Sequence, residues 1–126
     1  MISKAKQVLT PEPAICYSGF RAGQNPGTGT YPSYAEVKED LLILQDQWRY
    51  LRLYDVDAHA DTVIEVIGNE GLDIKLMLGA YINAEMNNMG CPWGGGTYTE
   101  AQLAENSAAN QAKIDKLIQL ANRYPN

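Results

Sequence analysis

Histidine occurs once in this 126-residue chain, phenylalanine once and cysteine twice. Structural zinc sites usually take four imidazole or thiolate ligands at short spacing, so any metal would have to lean on carboxylates, and we expect neither metal nor cofactor. Basic residues are outnumbered as well, with 10 Lys and Arg against 15 Asp and Glu for a net charge of -5. Nucleic-acid affinity needs clustered Lys and Arg to neutralise phosphates, and here they are scattered, which excludes that partner. Long apolar runs are missing too. LLIL and LMLGAYI fall far short of the roughly 20 residues that span a bilayer, and MISKAKQVLTPEP has lysines without the apolar centre of a secretory signal. No membrane partner is expected, and the chain as written reads as cytoplasmic. Cys16 and Cys91 could bridge, but Cys16 lies in the apolar run AICY and reads as a buried free thiol.

What is present describes a globular domain, with 45% hydrophobic and 20% charged residues. The run AICY at 14–17 reads as a strand that opens onto SGFRAGQNPGTGTYP, a loop rich in glycine and proline. Ser33 and Glu36 stand at capping-box spacing, and Ala35, Val37, Leu41, Leu42 and Leu44 recur at helical intervals as far as Gln47. YLRLY at 50–54 alternates as a strand does. A second helix over about 58–69 carries Val63, Ile64, Val66 and Ile67, with Gly71 placed to end it. DIKLMLGAY reads as a third strand. Thr99 with Gln102 opens a last capped helix whose apolar face is Leu103, Ile114, Leu117, Ile118 and Ala121.

Strand and helix thus alternate three times, which predicts an α/β fold with parallel strands joined by crossovers. The loops after the first and third strands are long, while those leading back into strands are tight. Function is therefore expected at the C-terminal ends of the strands. Three such units cannot close a barrel, which needs eight in about 250 residues, and an open three-stranded sheet leaves two bare edges. The expected arrangement is a short extension at 1–12 followed by part of a (β/α)8 TIM barrel at 13–126, cut before its fourth strand.

Carboxylates at strand ends are Asp55, Asp57 and Glu85, any two of which could serve as acid and base. The plainer alternative has Asp57 capping the second helix and an aspartate joining neighbouring strands through Arg52. His59 reads as part of a solvated helix start. The loop MNNMGCPWGGGTYTE at 86–100 has no Lys or Arg to hold a phosphate. Trp93 and Tyr98, with Tyr81, Asn83, Asn87 and Asn88 close by, combine flat apolar faces with amides, a mixture suited to a sugar ring. A tryptophan that only pins a long loop would explain Trp93 equally.

In order, ICYSG at 15–19, YPSYAEVKEDLLIL at 31–44, RYLRLYD at 49–55, KLMLGAYI at 75–82 and the EMNNMGCPWGGGTYT loop resemble glycoside hydrolase family 17, the β-1,3-glucanase-like enzymes, and its bacterial branch most. The resemblance covers about 13–125. It implies an eight-stranded barrel that hydrolyses β-1,3-glucan with retention, using two carboxyl groups about 5 Å apart. It also implies that the family's acid, which follows an asparagine at the end of strand four, and its nucleophile on a later strand both fall after Asn126. No catalytic residue is then expected in this chain, which would be inactive alone. Tyr54 resembles the family's active-site tyrosine beside the nucleophile, and Arg52 and Tyr17 match structural or binding positions. Asn69-Glu70-Gly71 imitates the acid motif but stands at a helix end, where its carboxylate would not reach substrate.

The expected substrate-binding set is accordingly Tyr17, Arg52, Tyr54, Asp55, Tyr81, Asn83, Trp93 and Tyr98, around a β-glucan oligosaccharide or polysaccharide. The PWGGG loop departs from the short loop of the plant enzymes and leaves linkage and endo or exo action open. Two other readings stand beside this one: a glucan-binding or self-assembling module that pairs through exposed strand edges, and a small complete enzyme using Asp55 and Glu85.

Overall fold

A computed structural model of the chain describes residues 11–87 and 96–124. Its elements run β1 (Ala14–Cys16), a single 3-10 turn (Pro26–Thr28), α1 (Tyr34–Leu44), β2 (Tyr50–Leu53), α2 (Ala58–Glu70), β3 (Lys75–Leu78) and α3 (Glu100–Arg123). The three strands form one parallel sheet in the order β1-β2-β3, as the alternation of strand and helix predicts. Leu51 stands level with Ile15 on one side and Leu76 on the other, and Arg52 with Cys16 and Met77.

That register sorts the side chains by face, because successive residues of a strand point to opposite sides. Leu51 and Leu53 point toward α1 and α2 and are at most 1% exposed. They meet Val37 and Leu41 from α1, Ala60, Val63 and Val66 from α2, and Ile74 just ahead of β3. Burying each large side chain in that set contributes about 1.5–3 kcal/mol, so this small cluster is the main store of stability.

The other face is open among the described residues. Cys16 and Arg52 are exposed there, and Met77 is 57% exposed. The expectation of a buried Cys16 thiol is therefore corrected: in a period-two strand, Ile15 and Tyr17 take the core side and Cys16 falls opposite. Cys16 is a free thiol, and the bridge considered with Cys91 lies outside the described residues, as do residues 1–10 of the extension expected at 1–12.

Helix boundaries follow local chemistry. Ser33 and Glu36 form a reciprocal capping box at the start of α1, and Thr99 and Gln102 form another at α3. Asp57 caps α2, accepting from the Ala60 N–H at 3.2 Å, and Gly71 ends it in the left-handed region at φ 63°. The first helix stops at Leu44, three residues earlier than its apolar spacing indicates.

The apolar face expected for α3 is also corrected. Ile114 is 39% and Ile118 54% exposed, and Ala121 is exposed as well. The face turned inward carries Leu103, Asn106, Asn110, Lys113, Leu117 and Leu120, again at spacings of three and four. Polar residues face inward because the surface they meet is a loop with unpaired backbone groups. Asn106 donates to the Ala84 carbonyl at 2.9 Å, and Asn110, only 1% exposed, grips both the N–H and the carbonyl of Asn83. Among the described residues no helix is long and apolar enough to cross a membrane.

Candidate functional site

Parallel strands deliver their next residues to one end of the sheet, and a pocket of about 440 Å³ opens there. The residues after β1 contribute Tyr17, Ser18 and Phe20; those after β2 contribute Tyr54, Asp55, Asp57 and His59; Tyr81 comes from the loop after β3. Four aromatic rings thus stand around a few polar groups, the combination that holds a ligand with flat apolar faces and polar edges.

Tyr17 offers its ring rather than its hydroxyl. The phenol donates to Asp40 Oδ2 at 2.9 Å, and Arg21 holds the same carboxylate through bonds of 2.9 and 2.7 Å. Burial first, then the bond and charge of Asp40, push the Tyr17 phenol far above the usual tyrosine range. Any side chain at position 19 would overlap the Tyr17 hydroxyl, which explains a glycine there.

His59 is buried, which corrects the solvated helix start expected for it. It is 4% exposed, stacks on Phe20 with ring centroids 5.2 Å apart, and lies 5.3 Å from the Tyr17 ring. Its Nε2 accepts the Gly19 N–H at 3.3 Å, so that nitrogen keeps its lone pair and the proton sits on Nδ1. Burial lowers the imidazole pKa against an opposing pull from Asp57 and Asp40. The ring is a wall of the pocket. Among the described residues no group of three or more His, Cys, Asp or Glu side chains comes together as a metal site.

Asp55 is the most connected carboxylate of the pocket lining. Its Oδ1 accepts the N–H of Val56 at 2.9 Å and of Tyr81 at 3.1 Å, and its Oδ2 accepts from Lys113 Nζ at 2.7 Å. Burial would raise its pKa, but the Lys113 bond and the two backbone donors outweigh that and hold it below the usual range. The partner imagined from sequence, Arg52, lies instead over the Tyr54 ring at 5.4 Å. Tyr54 is 53% exposed, and a hydrogen bond to Cys16 is the main reason its hydroxyl pKa is raised.

Of the expected set, Tyr17, Tyr54, Asp55 and Tyr81 converge on the pocket. Arg52 is on the open sheet face. Asn83 has its backbone held by Asn110, and Tyr98 is tied through its own backbone to the Asn87 side chain at 2.7 and 3.0 Å. Trp93 and Asn88 lie outside the described residues. Phe20, Ser18 and Lys113 were not foreseen: the first two follow β1 as ordinary loop residues, and Lys113 meets Asp55 across 58 positions of sequence.

The remaining carboxylates are committed elsewhere. Glu85 accepts from Asn110 Nδ2 at 2.7 Å, and Asp57 serves as the α2 cap. Glu70, the last residue of α2, pairs with Lys38 at 2.8 Å and accepts from the Tyr34 hydroxyl at 2.9 Å. Those partners lower its pKa, the Lys38 bond most, whereas a general acid needs a raised one.

Comparison with known families and with curated proteins by sequence finds no match. Among solved structures, this chain is similar to an endo-laminarinase from Formosa Hel1_33_131, with 26% identity and a TM-score of 0.65. The similarity covers 90% of this chain and 28% of that one, so the chain spans a little over a quarter of the length of the glycoside hydrolase it resembles.

Proposed function

We propose that residues 13–126 are the first three units of a (β/α)8 barrel of glycoside hydrolase family 17, preceded by an extension at 1–12, and that they form one wall of a β-1,3-glucan cleft. The observation that carries this reading is the ring of Tyr17, Phe20, Tyr54 and Tyr81 around Asp55 and Asp57 at the strand ends. Aromatic faces stack on the apolar faces of a glucose ring, and polar residues of the lining such as Ser18 and Asp57 meet its hydroxyls. The likeness to an endo-laminarinase over nearly the whole chain supports the choice of glucan. Tyr54 is the residue we assign to the reacting sugar. Arg52, Asn83, Trp93 and Tyr98 belong to the proposed cleft as supports or as further binding groups.

In this reading the chain supplies binding groups and no acid–nucleophile pair. Asp55 is held ionised by Lys113, and Asp57, Glu85 and Glu70 are each occupied in structure. The purified chain should release no reducing ends from laminarin and should bind laminarihexaose in calorimetry. Tyr54→Ala should weaken that binding about tenfold, the worth of one stacked ring. Turnover that disappears with Asp55→Asn or Glu85→Gln would overturn the proposal and favour a small complete enzyme.

A second reading is favoured by one feature. Each outer strand is paired on one side only among the described residues, so copies could join edge to edge. A dimer at micromolar concentration in light scattering would support that reading, and a monomer would remove it.

A further inference from the structure

Tyr81 is the most exposed aromatic ring of the pocket, at 68%, yet its backbone is held at both polar groups. Asp55 Oδ1 accepts its N–H at 3.1 Å, and Lys113 Nζ donates to its carbonyl at 2.9 Å. The Lys113–Asp55 pair at 2.7 Å closes the loop of bonds, and the ammonium lies 5.7 Å from the Tyr81 ring centroid. An exposed ring on a loop would ordinarily sample many positions, and ordering it would subtract from binding. Here three elements share the task of holding one residue: Asp55 follows β2, Tyr81 follows β3 and Lys113 comes from α3.

We infer that Asp55 and Lys113 are positioning residues that clamp Tyr81 as the aromatic platform on which a glucan ring rests at the edge of the pocket. This rests on the glucan reading above. It gives Asp55 a role distinct from contact with sugar, since its oxygens are already engaged by Val56, Tyr81 and Lys113. The same helix carries a control. Lys116 pairs with Asp61 at 2.7 Å, an ion pair that also ties α3 to α2 but does not touch Tyr81.

The test uses the full chain and laminarihexaose, with affinity by calorimetry and the Tyr81 amide followed by NMR. Lys113→Met should weaken binding about tenfold and speed exchange of the Tyr81 amide, Lys113→Arg should stay within about twofold of the parent, and Lys116→Met should leave affinity unchanged. If Lys113→Met does not fold, the parent protein answers by acidification. Protonating Asp55 opens the clamp, so the Tyr81 amide shift and the affinity should change in one transition below the usual aspartate range. The groups around Asp55 there are Lys113 from α3, the N–H groups of Val56 and Tyr81, and Asp57 and His59 in the same pocket. Equal affinity of Lys113→Met and the parent, or equal losses in Lys113→Met and Lys116→Met, would overturn the inference. A parent chain that binds no laminarihexaose while its Tyr81 amide still follows Asp55 would overturn the glucan reading and leave the clamp as loop architecture.

Discussion

Acidification from pH 7 to 5.5 should destabilise this protein through one residue, His59. It is the chain's single histidine, so no other side chain has its ordinary pKa in that window. The folded state keeps the imidazole neutral, because it is buried between Phe20 and Tyr17 and its Nε2 must accept from Gly19. Its pKa in the fold is therefore below the ordinary value of 6.5. Under 6.5 the unfolded chain takes up a proton more readily than the folded chain does. Stability is then complete above 6.5 and falls as pH drops toward the folded pKa. The loss between pH 7 and 5.5 is bounded by about 1.3 kcal/mol, the limit for one proton taken up by the unfolded chain alone, and it grows toward that bound the further burial lowers the folded pKa. Urea unfolding followed by circular dichroism would show this as a midpoint lowered, by at most roughly 0.5 M, at constant slope. His59→Gln should abolish the dependence. A flat midpoint across the window, or an equal decline in His59→Gln, would refute the argument.

Two further substitutions probe different parts of the fold. Asn110→Ala removes the bonds to both backbone groups of Asn83 and to Glu85, and should cost about 2–4 kcal/mol or release α3 locally, seen as faster amide exchange at Asn83; a cost under about 1 kcal/mol would show that α3 is held otherwise. Glu70→Gln should leave the urea midpoint nearly unchanged, since its bond to Lys38 is part-exposed and screened by solvent, and should leave glucan affinity untouched; a loss of affinity would place Glu70 in the site despite its position at the end of α2.

The features legible in the sequence were those with local causes. Ser33–Glu36 and Thr99–Gln102 capping boxes, the Asp57 cap and Gly71 each depend on residues within one turn, and each stands where the spacing predicts. Leu51 and Leu53 alternate with Arg52 because period two is a property of any strand. What was hidden depends on partners distant in sequence. Cys16 looked apolar, but its exposure follows from the face it shares with Arg52 and Met77. His59 looked solvated until Phe20 and Gly19 folded over it. Asn106, Asn110 and Lys113 stand on the inward face of α3 because they satisfy the loop at 81–85, and no helical periodicity of apolar residues could reveal that. The same limit applied to the site: Tyr17, Tyr54 and Tyr81 were visible as residues, whereas Phe20 joins them, and Lys113 meets Tyr81, only once the chain has folded.

The most direct test of the central claim is to map laminarihexaose onto the 15N-labelled chain by NMR. The account predicts saturable shift changes in the segments that carry Tyr17, Tyr54, Asp55 and Tyr81, with α1 and the end of α2 unmoved. No change at millimolar sugar, or changes confined to the groove of Ile64, Leu120 and Arg123 between α2 and α3, would contradict it.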